Sequence, residues 1–348
     1  VPVTVADTDA LTQRVLEVGR AAGLVAVGVT TAEPFESTRR DLEDRKAAGL
    51  SHDMQFTYRN PSRSTDPSRS LPGARSLVAG AWPTPAYGVG DTERPPSGNH
   101  GRVGRYVWRD YYAELRDALG LIADELRDAG FAARVLADDN AQVDRAVARR
   151  AGLGWFGKNA NILVPGHGSW VVLGAVVTDA ELAPSRDEVR DGCGACDRCM
   201  TACPTDAIVA PGVVDARRCL AWLVQAPGTF PVEFRAALGN RIYGCDDCQE
   251  VCPPSRRVDH AADAPVNVDL VGVLRASDDE LLAAHGRWYI AKRDPRHLRR
   301  NALIALGNVA DSDDELVTEL LQATAQSDDE LLAEHARWAI GRIAQRAS

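Results

Sequence analysis

Cys193, Cys196, Cys199 and Cys203 stand in the order C-x2-C-x2-C-x3-C, with Pro204 directly behind the last. Bacterial ferredoxins hold four-iron clusters with this spacing: short gaps set three thiolates around one cube, and the turn before the proline carries the fourth away to another. A second, incomplete run follows as Cys245-x2-Cys248-x3-Cys252, again with a proline, Pro253. Exchanging the last cysteine of each run, as two-cluster ferredoxins do, gives one cluster Cys193, Cys196, Cys199 and Cys252. The other receives Cys203, Cys245 and Cys248 and needs one more ligand; Cys219 is the remaining cysteine. All eight cysteines lie between 193 and 252 and divide into two fours without remainder. Zinc is the competing metal, but its ribbons pair C-x2-C knuckles and have no use for the x2-x2-x3 run. Disulfides are the third possibility. The opening residues VPVTVADTDALTQRV do not read as a secretory leader, so a cytoplasmic chain and metal are expected instead. Two 4Fe–4S clusters would relay electrons singly without naming what is reduced.

Residues 152–157 read G-L-G-W-F-G, a formal G-x-G-x-x-G. The dinucleotide fingerprint needs a strand before it and a helix after it. Here a helical stretch (DRAVARRA) precedes and a strand follows, so dinucleotide binding is rejected. The segment runs on through Lys158, Asn159 and Asn161 to Ser169 and Trp170. Loops at strand ends of α/β sheets are where ligands settle, and one of only three lysines in the chain lies here. A ligand-binding loop is therefore weighed against a solvated turn.

The elements that must hold these residues are legible in outline. Residues 11–29 read as an amphipathic helix and a short strand, SLVAGAW as a strand, 110–130 as a helix stopped by Gly130, then AARVL as a strand, QVDRAVARRAG as a helix and SWVVLGAVVTD as a strand. Between 51 and 104 lie two long stretches rich in Pro, Ser, Gly and Arg, of the kind that is usually functional or disordered. The alternation predicts an α/β (α+β) domain over 1–185, followed by a ferredoxin-like module over 186–262 and an all-helical domain over 263–348. In that tail, SDDELLAAHGRWYI (277–290) and SDDELLAEHARWAI (327–340) agree at eleven of fourteen positions. The recurrence points to a short HEAT-like repeat.

The chain has 348 residues, 26% of them charged, and a net charge of -9, which gives no global pull towards nucleic acid or anionic membrane. No apolar run is long enough to span a bilayer. Locally the balance reverses: Arg287, Lys292, Arg293, Arg296, Arg299 and Arg300 face a single acid, Asp294, between 287 and 300. Such a patch is expected to neutralise RNA phosphates; a solvated helical face is the alternative.

The stretches AGLGWFGKN (151–159), GSWVVLG (168–174), GCGACDRCMTACPTDAI (192–208), DARRCL (215–220), GNRIYGCDDCQEVCP (239–253) and RRNALIALGN (299–308) together resemble the epoxyqueuosine reductases. The resemblance implies an oxidoreductase acting on tRNA: a cobalamin-binding α/β domain akin to that of reductive dehalogenases, two 4Fe–4S clusters and HEAT-like helices. It implies reduction of epoxyqueuosine to queuosine at the wobble position, with an anticodon stem-loop as partner. An external one-electron donor such as flavodoxin or ferredoxin, no membrane and a monomeric chain go with it. By the same resemblance Asp138 is the proton donor and a cobalamin neighbour, and Arg59 contacts the cobalamin. Asp138, Asp139 and Asn140 could equally be helix caps. Base-off cobalamin without a protein axial ligand is expected, since no D-x-H-x-x-G occurs. Lys158, Asn159, Asn161, Ser169 and Trp170 are expected near it, as are Tyr243, Asp246 and Asp247, which flank the second run of cysteines. The sequence departs from the family's pattern at Trp108, Tyr112, Asp139, Ala141 and Asp144, around the expected substrate pocket. Two other classes remain open: a cobalamin and iron–sulfur reductase of a small molecule, and a plain iron–sulfur electron carrier.

Overall fold

The computed structural model describes residues 5–84, 98–185, 189–258 and 266–348. The second half of the Pro-rich stretch and the domain boundary expected at 262–263 lie outside them. Seven strands organise the fold: β1 (Ala26–Thr31), β2 (Ser76–Pro83), β3 (His100–Val103), β4 (Ala133–Ala137), β5 (Val171–Thr178), β6 (Arg241–Tyr243) and β7 (Asn267–Asp269). The helices that matter are α1 (Val5–Ala21), α2 (Tyr111–Asp128), α3 (Asp144–Arg150), α4 (Asp278–His285), α5 (Arg296–Val309), α6 (Glu315–Ala325) and α7 (Glu330–Ala347).

The main sheet runs β1-β2-β5-β4, and every pairing in it is antiparallel. The helix–strand alternation thus builds an α+β layer rather than a parallel α/β sheet. The central strands are apolar along their length because both faces are covered. On one face α1 and α2 bury Leu11, Val15, Leu115, Leu119 and Ile122. On the other, α3 and the segment Phe35–Leu42 bury Leu77, Ala79, Val147 and Val177. Gly80 and Gly174 are cross-strand partners. A Cβ on Gly174 would come within 2.8 Å of a Leu119 methyl, so the glycines let α2 lie close on the sheet.

A second sheet joins distant parts of the chain. β3 lies in its middle, parallel to β6 on one side and antiparallel to β7 on the other. The three expected segments therefore meet strand by strand, over an apolar core that includes Val103, Ile242, Val268, Trp288 and Leu303. Within the tail, α5 packs along α7; a Cβ on Gly307 would meet Ala339 Cα at 2.8 Å. No helix among the described residues is long and apolar enough to cross a membrane.

Candidate active site

All eight cysteines are free thiols, which removes the disulfide alternative. Cys193, Cys196, Cys199 and Cys252 line one cavity of about 70 Å³ with Gly157, Lys158, Asn159, Arg198 and Pro253. The local turns explain how: Asp191 Oδ1 accepts the Cys193 amide at 2.8 Å, Gly194 takes a φ of 47°, and the Cys196 N–H closes onto Cys193 O. Burial first, then the neighbouring Cys252, Cys193 and Cys196, raises the Cys199 thiol. The other four cysteines gather likewise. Burial and then Cys245 and Cys219 push Cys248 far up, Cys219 feels Cys203, and Cys245 is pushed up to about 12, mainly by burial. Thiols so crowded resist ionisation unless cations bind among them, which is the environment a metal cluster supplies.

The glycine-rich loop forms the wall of the first group. Trp155–Phe156 and Ile162–Leu163 make a two-residue hairpin, with Gly157 to Asn161 as its tip. A Cβ at Gly154 would strike Leu163 O at 2.3 Å, and one at Gly157 would meet Asn159 Oδ1 at 2.6 Å, so steric closeness fixes these glycines, not a nucleotide. Lys158 Nζ donates to Gly194 O at 2.8 Å, inside the first cysteine loop. Lys158 and Asn159 thus line the cysteine cavity. Ser169 and Trp170 directly precede β5. Both are buried, and both are bound to Ser255: the Ser169 N–H donates to its Oγ at 3.1 Å and Trp170 Nε1 to its carbonyl at 2.9 Å. Asp247 is paired with Arg241 and Arg102, and Asp246 accepts the Arg105 N–H at 2.8 Å. Arg59 is exposed on a short 3-10 turn, and Asn161 is half-buried.

Asp138 lies at the end of β4 with φ 53°, an uncommon conformation for a side-chain-bearing residue and one often found at functional positions. Neither aspartate caps the helix: Asp139 Oδ1 accepts the Ala141 N–H at 2.8 Å in a local turn, and α3, with Val143 at its N-cap, has no side-chain cap. Asp138 is open to solvent, yet surrounding protein raises its carboxyl; burial is the main cause, the charge of Asp144 the next, and Arg116 opposes. Asp144 is also raised by burial, against Arg145. Tyr112 is held far above its usual range by burial, then by Asp144 and Asp138. Tyr243 senses Asp138 as well, and its hydroxyl accepts the Tyr289 N–H at 2.8 Å. These groups therefore link the end of β4, the starts of α2 and α3, and the strand that leads into Cys245.

An aromatic belt adjoins Tyr243, and the sequence reading passed over it. Trp288 stacks on Tyr243 at 4.7 Å and on His285 at 4.3 Å; Tyr289 meets Phe56 at 5.0 Å, and Tyr106 lies 6.3 Å from Tyr243. The one available signal was that Tyr289 and Gly286 break the match between the two tail repeats. The basic patch is largely spent internally. Arg300 is fully buried and cannot meet RNA: it donates to Ala226 O at 2.7 Å and Leu223 O at 3.0 Å, and also to the Val224 and Gly228 carbonyls. Arg299 is paired with Asp278, and Arg296 with Asp294 and Asp329. Arg287 donates to the Val107 carbonyl and Arg293 to the Gly286 carbonyl. Lys292, Arg293 and Arg287 are exposed, and Lys292 and Arg293 both have φ 55°.

Comparison with known proteins agrees with this geometry. The profile of the 4Fe-4S double cluster binding domain matches residues 192–255. The epoxyqueuosine reductase of Staphylococcus aureus is 33% identical over 316 residues, covering 88% of this chain and 82% of that protein. A crystal structure of an epoxyqueuosine reductase with an epoxyqueuosine-modified tRNA-Tyr stem loop superposes with a TM-score of 0.87 at 32% identity, covering 97% of this chain and 91% of that one. The epoxyqueuosine reductase of Bacillus subtilis, described with its catalytic aspartate loop swung out of the active site, gives a TM-score of 0.84 at 32% identity, covering 96% of this chain and 90% of that one.

Proposed function

The chain belongs to the epoxyqueuosine reductase family, and from that premise we propose that it reduces epoxyqueuosine to queuosine at the wobble position of tRNA. One observation supports the reading: Asp138, whose carboxyl is raised, acts electrostatically on Tyr243, which stands two residues before Cys245. Proton delivery and electron delivery thereby converge around Tyr243. Removing the epoxide oxygen as water consumes two electrons and two protons. The two clusters would be held by Cys193, Cys196, Cys199 and Cys252, and by Cys203, Cys219, Cys245 and Cys248. These cysteines are the donor set that four-iron clusters require.

Polar side chains remain accessible to meet a cobalamin, since Arg59 and Asp138 are exposed and Asn161 is half-buried. We assign Arg59 and Asn161 to holding it. When bound, it supplies a cobalt centre that takes electrons singly and passes them to the epoxide carbon. Asp138 keeps its proton to a higher pH than an ordinary carboxyl and gives it to the departing oxygen. Tyr112 and Asp144, departures from the family's pattern, surround that carboxyl and hold the proton there. The aromatic belt at Tyr289 and Phe56, with Lys292, Arg293 and Arg287 beside it, takes the splayed anticodon loop by stacking and phosphate contact. In this reading the chain has a cobalamin-binding domain over 1–185, a two-cluster module over 186–262 and a HEAT-like tail over 263–348. It is a monomeric cytoplasmic enzyme fed by an external flavodoxin- or ferredoxin-like donor.

The test is anaerobic reconstitution with iron, sulfide and cobalamin, followed by nucleoside analysis of epoxyqueuosine-containing tRNA. Queuosine should form, and Asp138→Asn should lower turnover by ~10²–10⁴-fold while iron and cobalt contents stay unchanged. Full cofactor loading without queuosine would overturn the assignment.

A further inference from the structure

The G-L-G-W-F-G run that mimics a nucleotide fingerprint has a second use. Trp155 pairs with Leu163 in the hairpin and is 9% exposed. It packs with Leu163 and Cys252, with Val189 and Cys193 at the margin of the same apolar cluster. Its Nε1–H is buried and has no hydrogen-bond partner among the described residues. The edge of the indole that bears this nitrogen is turned to the first cysteine loop. A Cβ on Gly192 would stand 2.8 Å from Cζ2 and 3.2 Å from Cε2, the carbon bonded to Nε1. Buried donors are almost always paired, and the side-chain acceptors in this shell are the sulfurs of Cys252 and Cys193.

We propose that Trp155 is a positioning residue for the first cluster, its Nε1–H donating to a ligating sulfur of Cys252 or Cys193. The inference rests on the assignment of those cysteines to a four-iron cluster. A neutral thiol is a weak acceptor; a metal-bound thiolate carries more charge and accepts well. The bond therefore strengthens with each electron the cluster takes, favours the reduced form and raises its potential. The second cysteine group supplies an internal control. Trp222 packs beside Cys219, but its Nε1–H is already given to His52 Nδ1 at 3.0 Å. One tryptophan accompanies each group, and only Trp155 has a proton to share.

The full chain, reconstituted anaerobically as wild type, Trp155→Phe and Trp222→Phe, would be assayed for iron and titrated by electron paramagnetic resonance against potential. With eight irons bound, Trp155→Phe should raise the oxidised-to-reduced ratio of one cluster about tenfold at fixed potential, a fall of ~59 mV. Trp222→Phe should move neither cluster. Should Trp155→Phe fail to hold iron, wild-type protein labelled with indole-15N tryptophan still decides: a nitrogen hyperfine coupling on a reduced cluster supports the bond. Unchanged potentials in a fully loaded Trp155→Phe, or no such coupling in wild type, would overturn it. A wild-type chain that takes up no iron would overturn the cluster reading beneath it.

Discussion

Two stretches of the tail, 277–290 and 327–340, share eleven of fourteen residues and fold differently. In the first, Ser277 closes a capping box with Glu280, α4 stops at His285, and the chain bends so that Trp288 and Tyr289 reach Tyr243. In the second, Asp329 is the cap, and α7 continues without a break to Ala347. The decisive difference is Gly286 against Ala336. A Cβ at 286 would lie 2.2 Å from Leu282 O and 2.9 Å from an Arg293 nitrogen, so the bend admits no side chain. A repeat unit is thus turned from a packing helix into a wall of the active site by one residue, while the cap sequence S-D-D-E serves in both.

The contrast can be broken at its shared support. Arg300 and Asn301 on α5 hold the Leu223–Gly228 carbonyls, and Asn301 also donates to Ile242 O in β6 at 2.9 Å. Arg300→Leu leaves several buried carbonyls unmet and should cost at least ~3 kcal/mol in chemical denaturation. Next in size, Gly286→Ala should cost ~1–3 kcal/mol by overpacking and greatly weaken tRNA binding. The mirror change Ala336→Gly should cost ~1 kcal/mol as a glycine in a helix and leave RNA affinity intact. Equal effects on RNA binding would mean that the bend does not build the site. Smaller still, Lys292→Glu should lower tRNA affinity several-fold and flatten its salt dependence, by the loss of about one phosphate contact. Its counterpart Arg342→Glu, beside Asn308, should do neither.

The finest distinction is one of pH. His335, fully buried in the second copy, is lowered to about 4, mainly by burial, with its Nε2 accepting the Phe230 N–H at 3.2 Å. A histidine with a depressed folded pKa binds its proton more readily when unfolded, at ~6.5. Its contribution to stability is therefore whole above that value and is lost as pH falls from ~6.5 towards about 4. His335→Gln should flatten the stability profile in that window, read by urea unfolding at several pH values. A slope unchanged by the substitution would assign the titration elsewhere.

What could be read in advance follows the range of the interaction. The first cysteine group was legible because three of its four members sit within a few residues, so that the spacing itself is the geometry. Asp138 was singled out through resemblance alone, and its neighbour Asp139 proved to close a local turn on Ala141 rather than cap a helix. The antiparallel sheet was not, because strands covered on both faces show no alternation. The contact of Lys158 with Gly194 was not legible because a hairpin tip brings it to the cysteine loop. Charge counting failed at Arg300 because a helix buries some of its arginines regardless of their number, and only the fold says which.

The placement of β3 between β6 and β7 has a consequence for biosynthesis. The strand leaves the ribosome roughly 166 residues before β7 is complete, a delay on the order of 10–30 s at bacterial rates of translation. All eight cysteines emerge within that interval. The nascent chain therefore exposes its cysteine loops while one edge of β3 still lacks its neighbour.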